Sequence, residues 1–74
     1  MSKPQLGDIW KSYYTDNRYE DNYYLIGEHL GVYEGVERYA CLNINCGTQE
    51  TFFWFPKGKR KADSGVYEIS VKVA

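Results

Sequence analysis

Nowhere along the chain does an apolar period of 3.6 residues persist for three turns. The apolar side chains come instead in short runs rich in Tyr, Val, Ile, Phe and Thr, closed off by Gly, Asn and Asp. That pattern predicts short strands and no long helix. Five strands are expected. The first is Asp8–Tyr14, launched by Gly7. The second, Asn22–His29, follows a polar connection in which Asp16-Asn17 supplies turn chemistry. The third, Arg38–Asn45, is reached through a segment where Gly31 and Gly35 permit a sharp change of direction. The fourth, Thr51–Phe55, ends at Pro56, which has no N–H for a ladder. The fifth is Val66–Val73. No internal repeat or low-complexity segment interrupts them.

Alternation within the strands assigns faces. Tyr67, Ile69, Val71 and Val73 share one face of the last strand; Glu68, Ser70 and Lys72 share the other. In the third strand Ala40, Leu42 and Ile44 oppose Tyr39, Cys41, Asn43 and Asn45. The aliphatic sets predict a core of Ala40, Leu42, Ile44, Ile69 and Val71. The fourth strand is aromatic on both faces. Phe53 and Phe55 are assigned inward, and Phe52 and Trp54 to the opposite face, under a loop or a partner. In the second strand Leu25 faces with Tyr23 and Ile26 with Tyr24, so its inward face stays open.

Strand count, strand length and the long acidic loop after the first strand resemble the Src-homology-3-type small barrel. The resemblance covers architecture only. It implies a single all-β domain over residues 1–74, a five-stranded antiparallel and strongly bent small barrel, with residues 1–6 as a flexible N-terminus. The Ala-Leu-Tyr-Asp-Tyr opening of that peptide-binding family is absent; the nearest feature is Leu6-Gly7-Asp8-Ile9-Trp10. The opening Gly7-Asp8-Ile9-Trp10 is also similar to the first strand of MazF/PemK-type ribonuclease toxins. Those toxins are longer and continue into an Arg-Pro-bearing strand, where this chain has Tyr23-Tyr24-Leu25-Ile26, so no catalytic residue carries over. An oligonucleotide-binding five-strand barrel is the alternative topology.

Composition narrows the options further. A chain of 74 residues builds one small core. Its 43% hydrophobic content argues against disorder. A core of this size takes about five or six large rings, and the eight Tyr, three Phe and two Trp exceed that. Several Tyr must therefore face solvent. The net charge of −1 hides a segregation: eight acids against three bases over residues 8–50, a net of −5, and five bases against two acids over 51–74, a net of +3. The longest apolar run, Phe52–Phe55, is too short to cross a bilayer, and no apolar stretch follows Met1-Ser2-Lys3-Pro4-Gln5. A cytoplasmic protein without membrane association is expected.

Catalysis needs a nucleophile with its base, paired carboxylates or a metal. His29 is the only imidazole and reads as an exposed or capping residue. Cys41 and Cys46 read as two reduced thiols, because one His and one Cys pair cannot close a zinc site. Gly58-Lys59-Arg60-Lys61 lacks the spacing and the Ser/Thr of a phosphate-cradling loop. The chain is expected to be non-catalytic, with no cofactor and no metal.

Binding is the better class. Tyrosine is a large rigid ring with a polar tip and few torsions to freeze. Tyr13, Tyr14, Tyr19, Tyr23 and Tyr33, interleaved with Asp16, Glu20, Asp21 and Glu34, form the candidate partner-binding set. An acidic, tyrosine-rich surface suits a basic surface on another protein. A short tyrosine-rich chain of this kind resembles small phage-encoded accessory proteins, some of which inhibit a host enzyme by occupying its nucleic-acid groove. The alternative is a single-stranded nucleic-acid binder, with Trp54 as a stacking platform and Lys57, Lys59, Arg60 and Lys61 holding phosphates. Against it, the same basic run reads as a solvated turn, and a pI near 5.7 is low for a nucleic-acid footprint. A structural homo-oligomer, joined through Phe52 and Trp54, is the third reading.

Overall fold

A computed structural model describes residues 3–74. Its elements are β1 Ile9–Tyr14, β2 Asn22–Tyr33, β3 Val36–Asn43, β4 Thr48–Trp54, β5 Lys59–Asp63 and β6 Val66–Lys72. All neighbours pair antiparallel in one sheet of order β4-β3-β2-β1-β6-β5. The all-β, antiparallel, helix-free expectation therefore holds for the described residues. The strand count does not: the described residues form six strands, and the sheet is not closed into a barrel.

Two hairpins depart from the expectation, and the second of them adds the sixth strand. β2 runs on through Leu30 to Tyr33, where Glu34 and Gly35 turn the chain directly into β3. Both turn residues have positive φ, 51° and 78°. This two-residue loop matches strand twist, but Glu-Gly signals it less plainly than Asn-Gly would. The second hairpin makes β5 from Lys59–Asp63, a run expected to be mostly a solvated turn. Ser64 and Gly65 connect β5 to β6, and the five residues of β5 are all exposed.

The sheet is strongly rolled. β4 and β5 stand at opposite ends of the strand order, yet only Phe55–Gly58 separates them in sequence. Gly58 N–H donates to Phe55 O at 2.7 Å, and Gly58 O accepts from Ser70 N–H at 2.9 Å. Rings from non-adjacent strands meet inside: Trp10 of β1 lies 5.8 Å from Phe52 of β4, and Tyr24 lies 5.6 Å from Phe52.

This curvature reverses the expected inside and outside. The buried core is Trp10, Ile26, Tyr39, Cys41, Phe52 and Trp54, with Tyr24 packed against it. Phe52 and Trp54 are each 4% exposed, whereas Phe53 is 45% exposed. Ala40 and Ile69 are only half-buried, and Leu42 and Ile44 are exposed. The physical reason is volume. The hollow of a rolled sheet must be filled from strands that are not neighbours, and aromatic rings bury about 150–250 Å² each. Aliphatic side chains on the convex side are too short to be covered by anything within the chain.

Most polar groups on the inner face find partners; the Trp54 indole N–H is buried without one. Ser12 Oγ donates to Glu68 Oε2 at 3.1 Å. Asn43 Nδ2 donates to Asn22 Oδ1 at 3.2 Å and Glu50 Oε2 at 3.1 Å, while its Oδ1 accepts from Asn45 N–H. Trp10 Nε1–H donates to Asp8 Oδ2 at 3.3 Å. The segment expected to be flexible, residues 1–6, lies partly outside the described residues. Within the remainder, Pro4 is buried and Lys3 pairs with Glu37 at 2.6 Å.

Candidate protein-binding surface

The candidate binding residues divide between two ends of the sheet. Tyr13, Tyr14, Asp16, Tyr19, Glu20, Asp21 and Tyr23 sit at the β1–β2 connection. Tyr33 and Glu34 sit at the far end of β2. Ten residues of extended chain separate Tyr23 from Tyr33, roughly 30 Å at strand rise, so the set is not one patch.

At the β1–β2 end, Tyr14 and Tyr19 form a T-shaped pair with centroids 5.1 Å apart. The acids there are partly paired. Lys11 Nζ lies 3.3 Å from Asp21 and also over the Tyr13 ring. Arg18 holds Asp16 at 2.7 Å and reaches Asp63 at 3.6 Å. The hydrogen bond donated by Arg18 keeps the Asp16 carboxyl below its ordinary range, and the bond that Lys11 donates to the Asp21 carboxylate raises Lys11. Glu20 has no ion pair among the described residues and is exposed. The surface is acidic, but less so than its sequence suggests.

The convex face carries a feature that sequence reasoning placed indoors. Register aligns Ile9, Leu25, Leu42 and Gln49 across β1, β2, β3 and β4. Ala40 and Thr51 form the next row on the same face. Register shifts in β2 between Ile26 and His29, and between His29 and Gly31, bend the strand and bring Leu30 to this face. The result is a groove of about 540 Å³ walled by Leu25, Leu30 and Leu42, with Gly27 and Ala40 between them and Gln49, Glu50 and Thr51 on its β4 side. Gly27 keeps it open to the backbone: a Cβ there would stand 3.1 Å from Ala40 O. Tyr23 continues the face toward the acidic end, and its carbonyl accepts Ile44 N–H at 2.8 Å. The signal was present in the sequence as the alternation of Ala40, Leu42 and Ile44; only the sign of the face was misassigned.

The residues of the nucleic-acid reading are also dispersed. Trp54 is in the core and cannot stack on a base. Lys57 is in the turn before β5; Lys59, Arg60 and Lys61 are on β5. Arg60 is held by Glu68 at 2.7 Å and lies over Phe55, while Lys59 lies over Tyr67. Cys41 is buried, which pushes its thiol up to about 11, while Cys46 is exposed. His29 Nε2 is 2.9 Å from Glu37. Among the described residues no three His, Cys, Asp or Glu side chains gather as a metal site would require, and no helix is long and apolar enough to cross a membrane. No protein-family model, curated protein or solved structure matches the chain.

Proposed function

We propose that this chain is a non-catalytic protein-binding module whose contact surface is the convex face of β2–β4 together with the tyrosine-rich β1–β2 end. One observation carries the reading: all four leucines of the chain, Leu6, Leu25, Leu30 and Leu42, are between 36% and 78% exposed. Burying a leucine is worth about 1.5–3 kcal/mol, and a small domain has little stability to spare. Three of these leucines surround one groove, the kind of clustered apolar surface that marks an interaction site. Tyr23 continues the face toward the β1–β2 end, where Tyr13 and the unpaired Glu20 favour a partner with basic groups, such as the cationic groove of an enzyme. An inhibitor of phage type is one form such a module takes.

The nucleic-acid alternative lacks its stacking ring, since Trp54 is enclosed. A homo-oligomer joined through Phe52 and Trp54 lacks both of its rings for the same reason. The test is photo-crosslinking in the native host, with a benzophenone side chain placed singly at Tyr23, Leu42, Tyr33 or Lys61. Crosslinks from positions 23 and 42 to the same protein, absent from 61, are expected. Crosslinks from position 61 to nucleic acid, with none from 42, would overturn the reading.

A further inference from the structure

The two edges of the sheet differ in how they are protected. β5 is short, carries Lys59, Arg60 and Lys61, and is irregular between Lys61 and Asp63. Charge, brevity and bulges are the means by which edge strands resist pairing with other chains. β4 is longer, has no bulge and carries a single charge, Glu50. It pairs with β3 through seven consecutive residues without a register shift, and Thr48–Trp54 contains no Lys, Arg or Pro. Thr48, Gln49, Glu50 and Thr51 are all exposed. Among the described residues, no backbone hydrogen bond outside the strand ladders reaches β4. The apolar groove lies directly beside this open half-strand.

We infer that β4 accepts an additional strand from a partner protein, its central Lys or Arg flanked on both sides by large apolar residues. This rests on the protein-binding reading and specifies its mode. The sequence of the incoming strand follows from alternation. Gln49 and Thr51 point to the convex face, in register with Leu42 and Ala40, and line the groove. Residues of the added strand on that side lie over the groove and are apolar. Glu50 points to the other face, in register with Cys41, where its Oε2 accepts from Asn43 Nδ2; the residue is exposed and is the one charged residue of β4. The residue paired across from it is a cation, because opposite charges on paired strands attract. Backbone hydrogen bonds supply the remainder of the affinity and are indifferent to the partner's other side chains.

The probe is a displayed library of random twelve-residue peptides selected on the whole protein, followed by an N-methyl scan of the best peptide. Enriched peptides should carry the apolar–cation–apolar triplet. N-methylation should weaken binding about tenfold at every second residue and little between, since alternate amides of a strand face its neighbour. Leu42→Lys should abolish binding, and Lys61→Glu, on the guarded edge, should leave it intact. Failure to enrich any such triplet, N-methyl effects without the two-residue period, or retained binding to Leu42→Lys would each overturn the inference. So would self-association of the protein through β4. If the crosslinking experiment still finds a protein partner on the convex face, the binding reading survives and only strand addition falls.

Discussion

Replacing Phe52 and its neighbour Phe53 separately by Ala tests the rolled architecture, because the two rings differ only in which way the sheet turns them. Phe52 is enclosed, with Trp10 and Tyr24 as ring neighbours. Truncating such a ring costs about 3–5 kcal/mol, transfer and cavity together. A chain of this length has about 4–11 kcal/mol in total, so Phe52→Ala removes much or all of it. Phe53 is nearly half exposed; its truncation forfeits only part of the area and leaves no cavity, for a cost near 1 kcal/mol. With a urea slope of about 1 kcal/mol/M for a small domain, Phe52→Ala should shift the midpoint down by roughly 3–5 M and Phe53→Ala by roughly 1 M. Phe52→Leu keeps most of the volume and serves where the alanine variant does not fold. Urea titration followed by tryptophan fluorescence reads the midpoints. A larger loss at Phe53 than at Phe52 would refute the assignment and return Ala40, Leu42 and Ile44 to the interior.

Other outcomes follow from the same geometry. In the native protein Cys46 should react with a thiol reagent at pH 8 and Cys41 should react only on unfolding; two fast thiols would contradict the burial of β3's inner face. In a spectrophotometric titration Tyr24, which burial pushes up to about 12, and Tyr39, which burial also raises, should ionise late, and Tyr24→Phe should shrink that late step. Three carboxyls are held below their ordinary range: Asp16, by Arg18; Asp8, by the Gln5 backbone N–H and then the Trp10 indole and Lys72; and Glu37, by Lys3 and then His29. A depressed native pKa stabilises above the unfolded value, near 4, and that contribution is lost as pH falls through the lower native value. Stability should therefore drop between about pH 5 and pH 2, and Asp8→Asn with Glu37→Gln should flatten the drop; an unchanged slope would remove these two groups from its cause.

Alternation is why much of the fold was legible. Tyr67–Val73 reads as a strand from period alone, and Pro56 marks the end of β4 without any tertiary knowledge. Polarity could not give the direction of each face. Ala40, Leu42 and Ile44 are a better hydrophobic set than Tyr39, Cys41 and Asn43, and only the rolled geometry makes large rings the better filling. β5 was hidden because Lys59-Arg60-Lys61 matches a solvated loop; its strand character comes from pairing with β6, a non-local cause. Proximity in sequence put Tyr13, Tyr14, Tyr19 and Tyr23 at one end of the sheet, where the structure also has them, whereas Tyr33 lies at the other end because β2 runs on to residue 33. The groove could not be found before the face was assigned.

Amide hydrogen exchange, measured on the chain alone and saturated with the protein it crosslinks, tests the binding surface most directly. Exposed edge amides exchange freely until a strand covers them. Slowed exchange in Thr48–Thr51, together with the convex stretches around Leu25–Leu30 and Ala40–Leu42 and no change in Lys59–Asp63, is the expected pattern. Protection confined to Lys59–Asp63, with β4 unchanged, would contradict it.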